Sequence, residues 1–210
     1  MNKEPTKPRG PGRPKTPIEK TTLLALARQL FAQKGYAGTS MMSIADAAGI
    51  SKASVFHHYP SKEALYLAAL NTILEEMGTF IEQAKTTYHQ GVEGLDKLTD
   101  AVIDYFATHP QAAKLLLYEL LSQGPFMSSG GDAVVKTVMA QAVSFIELIG
   151  KQDQATAVES AMSIFGIHLL YFGASDVTAE FKGTDIFSAR EIEKRKIAVR
   201  QQVRNIALNS

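Results

Sequence analysis

Residues 39–65 read TSMMSIADAAGISKASVFHHYPSKEAL. Ser43 to Ala48 carries the pattern of a short helix, Ala48-Gly49-Ile50 that of a tight turn, and Ser51 to His58 that of a second helix capped by the Ser51 hydroxyl. Small residues stand where bulk would do harm: Ala45 and Ala48 let the helices approach, and Gly49 takes the positive φ that reverses the chain. Ile44, Ile50 and Val55 are the apolar positions that lock the two helices at a fixed angle. That angle leaves one face of the second helix, carrying Lys52, Ala53, Ser54 and His57, free to enter the major groove of a DNA duplex. The stretch reads as a helix-turn-helix.

The residues on either side extend this reading. Pro60 ends the second helix and Ser61 caps the next, whose first-turn amides form an anion site with Lys62 beside it. A DNA phosphate suits that site, although an S-K-E triplet taken alone is only a cap and a solvated lysine. Upstream, a helix is expected from Pro17 or Ile18 to Lys34, with Leu23, Leu26, Ala27, Leu30 and Phe31 on one buried face. Gly35-Tyr36-Ala37-Gly38 reads as a loop, after which Thr39 and Ser40 cap the next helix and offer hydroxyls to phosphate.

Residues 45–65, with A-A-G-I-S-K-A-S-V-F-H-H-Y-P-S-K-E-A-L, resemble the DNA-binding signature of the TetR family of bacterial transcriptional regulators. The resemblance is specific for residues 39–65; the rest of the chain is similar in helix number and order alone. It implies an all-α fold, a three-helix DNA-binding domain followed by a larger helical domain that binds an effector and dimerises. Carried over residue by residue, it implies base-edge contacts from Lys52, Ala53 and Ser54, and phosphate contacts from Ser40, His57, His58 and Lys62; Thr39 and Tyr59 join the expected DNA surface. Two positions depart from the family pattern. Phe56 replaces a common tyrosine, which makes it a packing residue, and Met42 stands where arginine is frequent, which puts base reading by that helix in doubt.

Composition sets the outer bounds. The chain has 210 residues, 20% charged and 45% hydrophobic, the balance of a soluble globular protein. The net charge of +1 hides an asymmetry: residues 1–60 hold 9 Lys+Arg against 3 Asp+Glu, and the remainder is acidic. A basic front and an acidic remainder fit contact with nucleic acid at the front only. The absence of cysteine excludes disulfides and thiolate metal sites. The opening residues have no apolar core of a secretory signal, and the longest apolar run, 164–172, is shorter than the ~18 residues of a membrane span, so a cytoplasmic protein with no membrane partner is expected.

Residues 1–16 read as a disordered basic arm, 17–62 as the DNA-binding domain and 63–210 as the effector-binding and dimerisation domain. In the arm, Arg13 and Lys15 belong to Gly12-Arg13-Pro14-Lys15, which resembles half of an AT-hook, a minor-groove motif; a solubilising tail is the other reading. Downstream, helices are expected over 61–88, 95–108, 111–122, 132–149, 155–172 and from Ser188 onward, with loops at 128–131 and 173–187. In the last helix Arg190, Lys194, Arg195, Lys196 and Arg200 are expected to face outward. The helix at 155–172 is apolar nearly all round from Ala161, which calls for burial on both sides, the second against another subunit. Met77, Phe80, Tyr105, Tyr118, Phe126, Phe165 and His168 are candidates for an effector pocket, and Phe145, Ile164, Ile167 and Tyr171 for the dimer interface.

The functional expectation is a ligand-responsive dimeric repressor that binds a palindromic operator in double-stranded DNA. The alternative is a dimeric DNA-binding protein with no small-molecule effector. No cofactor, metal or catalytic residue is implied: His57 and His58, being adjacent, point about 100° apart on a helix and do not chelate one ion. An enzyme finds no support in a nucleophile, a phosphate-cradling glycine loop or a metal-spaced cluster.

Overall fold

A computed structural model describes residues 19–87, 91–122 and 124–208, and no strand occurs among them. The first three helices are α1 (Lys20–Gly38), α2 (Met41–Ala48) and α3 (Lys52–His58). The chain continues through α4 (Lys62–Thr87), α5 (Val92–Thr108), α6 (Pro110–Ser122), a single π turn (Met127–Gly131), α7 (Asp132–Gly150), α8 (Gln154–Gly173), α9 (Ser175–Lys182) and α10 (Ala189–Leu208). Thr108 ends α5 because the residue before Pro110 is kept out of the helical region, and Pro110 opens α6 where its missing N–H costs nothing.

Helix α1 packs on α4 and α6, so the front module is joined to the rest along two surfaces. Behind it α4 packs on α5 and α7, α8 on α6 and α7, and α10 on α5. One continuous cluster of buried side chains runs from Leu23 and Phe31 through Tyr66, Phe106 and Phe145 to Val203. Lateral order comes from charge as well: Asp96, Asp100 and Asp104, each four residues apart on α5, meet Arg204, Arg200 and Lys196 of antiparallel α10. Arg204 and Arg200 donate from Nε at 2.8 and 2.7 Å, the bidentate geometry a guanidinium makes with a carboxylate.

Several sequence expectations are corrected. The 35–38 stretch is helical apart from Gly35, whose φ of 69° and ψ of 173° kink α1. A Cβ there would meet the Tyr118 hydroxyl at 3.3 Å, and glycine also relieves a backbone conformation other residues avoid. Residues 127–131 form a π turn rather than a free loop, because the Met127 N–H donates to Glu119 Oε1 at 2.9 Å and the Ser129 hydroxyl to Glu63 Oε1 at 2.7 Å. Part of the 173–187 loop is α9, closed by Gly183 at φ 62°. Of the α10 cations expected outside, Arg190 is exposed, but Lys196 and Arg200 pair with α5, Lys194 pairs with Glu191, and Arg195 is drawn inward. There its Nη2 donates to Ile167 O at 2.7 Å and its guanidinium lies 3.9 Å from the Tyr171 ring centroid.

The apolar helix α8 is two-faced. Ala161, Ile164, Phe165 and His168 line an internal cavity, while Val158, Met162 and Leu170 are exposed. Ala133–Gly150 of α7 and Gln154–Gly173 of α8 are each long and apolar enough to cross a membrane, which the longest unbroken run did not reveal. Both pack into the helical assembly, on each other and around the cavity.

Candidate nucleic-acid interface and effector cavity

The turn between α2 and α3 is fixed locally. Ser40 caps α2 by accepting from the Ser43 N–H at 3.0 Å, and the Ser43 hydroxyl accepts in return from the Ser40 N–H at 3.0 Å. At the other end Gly49 sits at φ 65°, ψ 25°, with its N–H bonded to Asp46 O and the Ile50 N–H to Ala45 O, the Schellman pairing. A Cβ at Gly49 would meet nothing within 4 Å, so the glycine answers to backbone conformation alone. Ser51 caps α3 through the Ser54 N–H at 3.1 Å. Ile44, Ala45 and Val55 are fully buried and share one apolar cluster with Leu23, Ala27 and Phe31 of α1.

This leaves Lys52, Ala53, Phe56 and His57 of α3 exposed, with Ser54 and His58 half-buried at the margin. Ser40 and Met42 are exposed beside them on the α2 side. Phe56 is therefore not the packing residue expected: it is 40% exposed, and the Lys52 ammonium lies 5.6 Å from its ring centroid. Burial of Val55 on one side of the helix turns its neighbour outward, a consequence of the 100° step that the family comparison alone obscured.

Three expected DNA contacts face inward. Thr39 is 1% exposed and its hydroxyl donates to Gly35 O at 2.9 Å and Leu30 O at 3.2 Å, so it closes the kink of α1 instead of meeting phosphate. Tyr59 is 5% exposed with its hydroxyl buried, and it packs under Lys20. The Lys62 ammonium donates to Tyr36 O at 2.9 Å and Thr39 O at 3.1 Å and lies 4.1 Å from the Tyr36 ring centroid. It ties α4 to the end of α1, while Ser61 caps α4 through the Ala64 N–H at 3.0 Å. Arg13 and Lys15 lie outside the described residues. His57 and His58 have rings 5.7 Å apart, and no group of three potential metal ligands occurs among the described residues.

Behind this surface lies a cavity of about 110 Å³. Of the expected pocket residues Met77, Phe126, Phe165 and His168 line it; Phe80, Tyr105 and Tyr118 do not. Tyr105 is engaged on the far side of α4, donating to Glu76, and Tyr118 lies against Gly35 at the α1–α6 contact. Phe145, expected at a dimer interface, is fully buried and lines the cavity, as does Ile164. Ile167 and Tyr171 are half-buried, and both contact Arg195 within the chain. His168 is 4% exposed; burial, then the nearby Arg195 charge, lowers its pKa to about 3, so the imidazole is neutral.

The cavity residue that sequence reasoning missed is Glu119. It lines the cavity at 2% exposure, and its Oε2 accepts from the Tyr66 hydroxyl at 2.6 Å. Burial, then the hydrogen bond to Glu119, pushes the Tyr66 pKa far above its ordinary value, so this hydroxyl stays a donor. The Tyr66 ring stands edge-on to Phe31 and Tyr36, each at 4.9 Å, and Tyr36 carries Lys62. A continuous chain of contacts thus runs from the cavity wall to the end of α1. Arg28, buried in α1 and 3.7 Å from Glu76 of α4, supplies a second tie.

The family model described as "Bacterial regulatory proteins, tetR family" matches residues 23–69, which span the whole of this helix-turn-helix. This DNA-binding module is that of the TetR family. It is similar to the HTH-type transcriptional regulator RutR of Escherichia coli strain K12, at 26% identity over 149 residues, 71% of this chain and 70% of that one. It is also similar to the HTH-type transcriptional activator FasR of Mycolicibacterium smegmatis, at 32% over 147 residues, covering 69% and 65%. The crystal structure of AibR in complex with isovaleryl coenzyme A and operator DNA shares the fold, with a TM-score of 0.66 at 20% identity over 87% of this chain and 96% of that one. With this TetR-family module the chain is a DNA-binding transcriptional regulator, similar to proteins that are themselves regulators of transcription.

Proposed function

We propose that the protein is a homodimeric, ligand-responsive repressor that places two α3 helices in successive major grooves of a palindromic operator. Residues 17–62 form the DNA-reading unit, residues 63–210 the effector and dimer unit, and residues 1–16 an arm whose Arg13 and Lys15 add charge near the duplex. Lys52 reads guanine, and Ala53 and Phe56 lie against thymine methyl groups. Ser40, His57 and His58 meet phosphate. Two copies pair through the exposed apolar residues of α8 and α10, Val158, Met162, Leu170 and Ile197, which otherwise stand in water. A regulator acting on a bacterial operator works in the cytoplasm.

The observation that carries the ligand response is the Glu119–Tyr66 hydrogen bond, because it joins the cavity wall to the aromatic contacts of the DNA-reading unit. A ligand that displaces Tyr66 releases α4 relative to α1, alters the reach between the two recognition helices and lowers operator affinity. It acts only to the extent that it binds the two arrangements with different free energies. AibR, crystallised with both isovaleryl coenzyme A and operator DNA, supports a cavity and a DNA surface working in one chain of this fold.

The test starts with the operator, recovered by selecting bound genomic fragments. Tyr66→Phe, which keeps the ring and removes the donor, is expected to leave DNA binding intact and to cut ligand-induced release at least about tenfold. Full release from the variant would reject the route. The second reading, a dimeric regulator with no effector, draws on the small size of the cavity. It stands if a broad metabolite screen never releases DNA from the wild-type protein.

A further inference from the structure

The cavity is walled mainly by leucine, isoleucine, valine, methionine and phenylalanine, with Thr99, Glu119 and His168 as its polar side chains. The Thr99 hydroxyl donates to Leu95 O of its own helix at 2.8 Å. Glu119 is different. Both groups bonded to its carboxyl are donors, Tyr66 O–H at Oε2 and Met127 N–H at Oε1, the pattern an ionised acid makes. No cation among the described residues pairs with it. Each oxygen keeps a second lone-pair direction, so the wall presents unused acceptor capacity and an uncompensated negative charge. Facing the same space, His168 is buried and its Nδ1 has no hydrogen-bond partner.

We propose that the effector is a small amphiphile with a hydrocarbon body of about four to five carbons and one hydrogen-bond-donating head, an alcohol or a protonated amine, read by Glu119 and His168. Carboxylates are rejected. An anionic head would stand beside the Glu119 charge where little water screens it, whereas a donor head satisfies the carboxylate and takes over the role of the Tyr66 hydroxyl. The neutral imidazole of His168 orients the head without adding charge. The size follows from the cavity of about 110 Å³, smaller than the roughly 150 Å³ dry protein cavity that takes a six-carbon benzene ring. This inference rests on the reading of the cavity as the effector site.

Matched probes of one chain length test it: 1-pentanol, pentylammonium and pentanoate, titrated calorimetrically into the full-length protein without DNA. Pentanol or pentylammonium should bind at least about tenfold more tightly than pentanoate, and Glu119→Gln should narrow that preference to about twofold. Pentanoate binding as tightly as the better of the two donors, or none of the three binding, overturns the inference. So does an unchanged preference in folded Glu119→Gln. The wild-type series decides by itself if that variant does not fold. Operator affinity measured with the same probes separates the two claims: donor-selective binding that leaves DNA affinity unchanged upholds the chemistry of the cavity and rejects the repressor's ligand response.

Discussion

His168 carries a pH dependence that follows from its burial. The folded chain keeps the ring neutral down to about pH 3, whereas an unfolded chain takes up the proton near 6.5. Between those values the unfolded state binds more protons, so stability is complete above pH 6.5 and falls as the pH drops, by up to about 1.4 kcal/mol per unit from this group. Urea unfolding at about pH 7 and about pH 5 should therefore show a smaller acid loss in His168→Asn than in wild type. Equal losses would mean that the ring is hydrated and titrates normally. Residues such as Gly49, Ser40 and Ser51 were legible in the sequence because each acts on backbone within a few positions of itself. Glu119 was not, since its hydrogen-bond partner Tyr66 lies 53 positions away and nothing local marks a glutamate in a leucine-rich helix as buried.

At the scale of elements, the α4 start shows how a correct motif misassigned a side chain. Ser61 caps the helix as expected, but the α1 kink at Gly35 leaves the Tyr36 and Thr39 carbonyls turned toward Lys62, which takes both. Lys62→Met should thus cost about 1–3 kcal/mol of stability by stripping two carbonyls of a charged donor. The slope of log affinity against log salt should change by much less than the ~0.9 expected of a lost phosphate contact. A drop of a full unit in that slope, with stability unchanged, would restore the phosphate role. The same scale explains the α10 stripe. Its cations read as a solvated face, yet Arg200 and Asp100 lie 100 positions apart, and only packing on α5 turns that stripe into a ladder.

For the whole molecule, the all-helical plan and the order of DNA-reading unit before cavity were readable, because amphipathic periodicity reports on each helix without reference to its neighbours. The choice of face was not. Phe145 and Ile164 line the cavity, and the large apolar residues that α8 and α10 leave exposed are Val158, Met162, Leu170 and Ile197. Which side of an apolar helix is covered depends on neighbours far away in sequence. In the proposed dimer, pairing through that outer face gives two recognition helices a common reach. The most direct measurement compares wild type with Met162→Asp on the selected operator, intact and cut to a half-site, alongside sedimentation of both proteins. The account predicts a wild-type dimer, a monomeric variant, a loss of about 100-fold or more on the intact operator and equal weak binding to the half-site. A monomeric wild type, or a variant that binds the intact operator as well as wild type does, would contradict it.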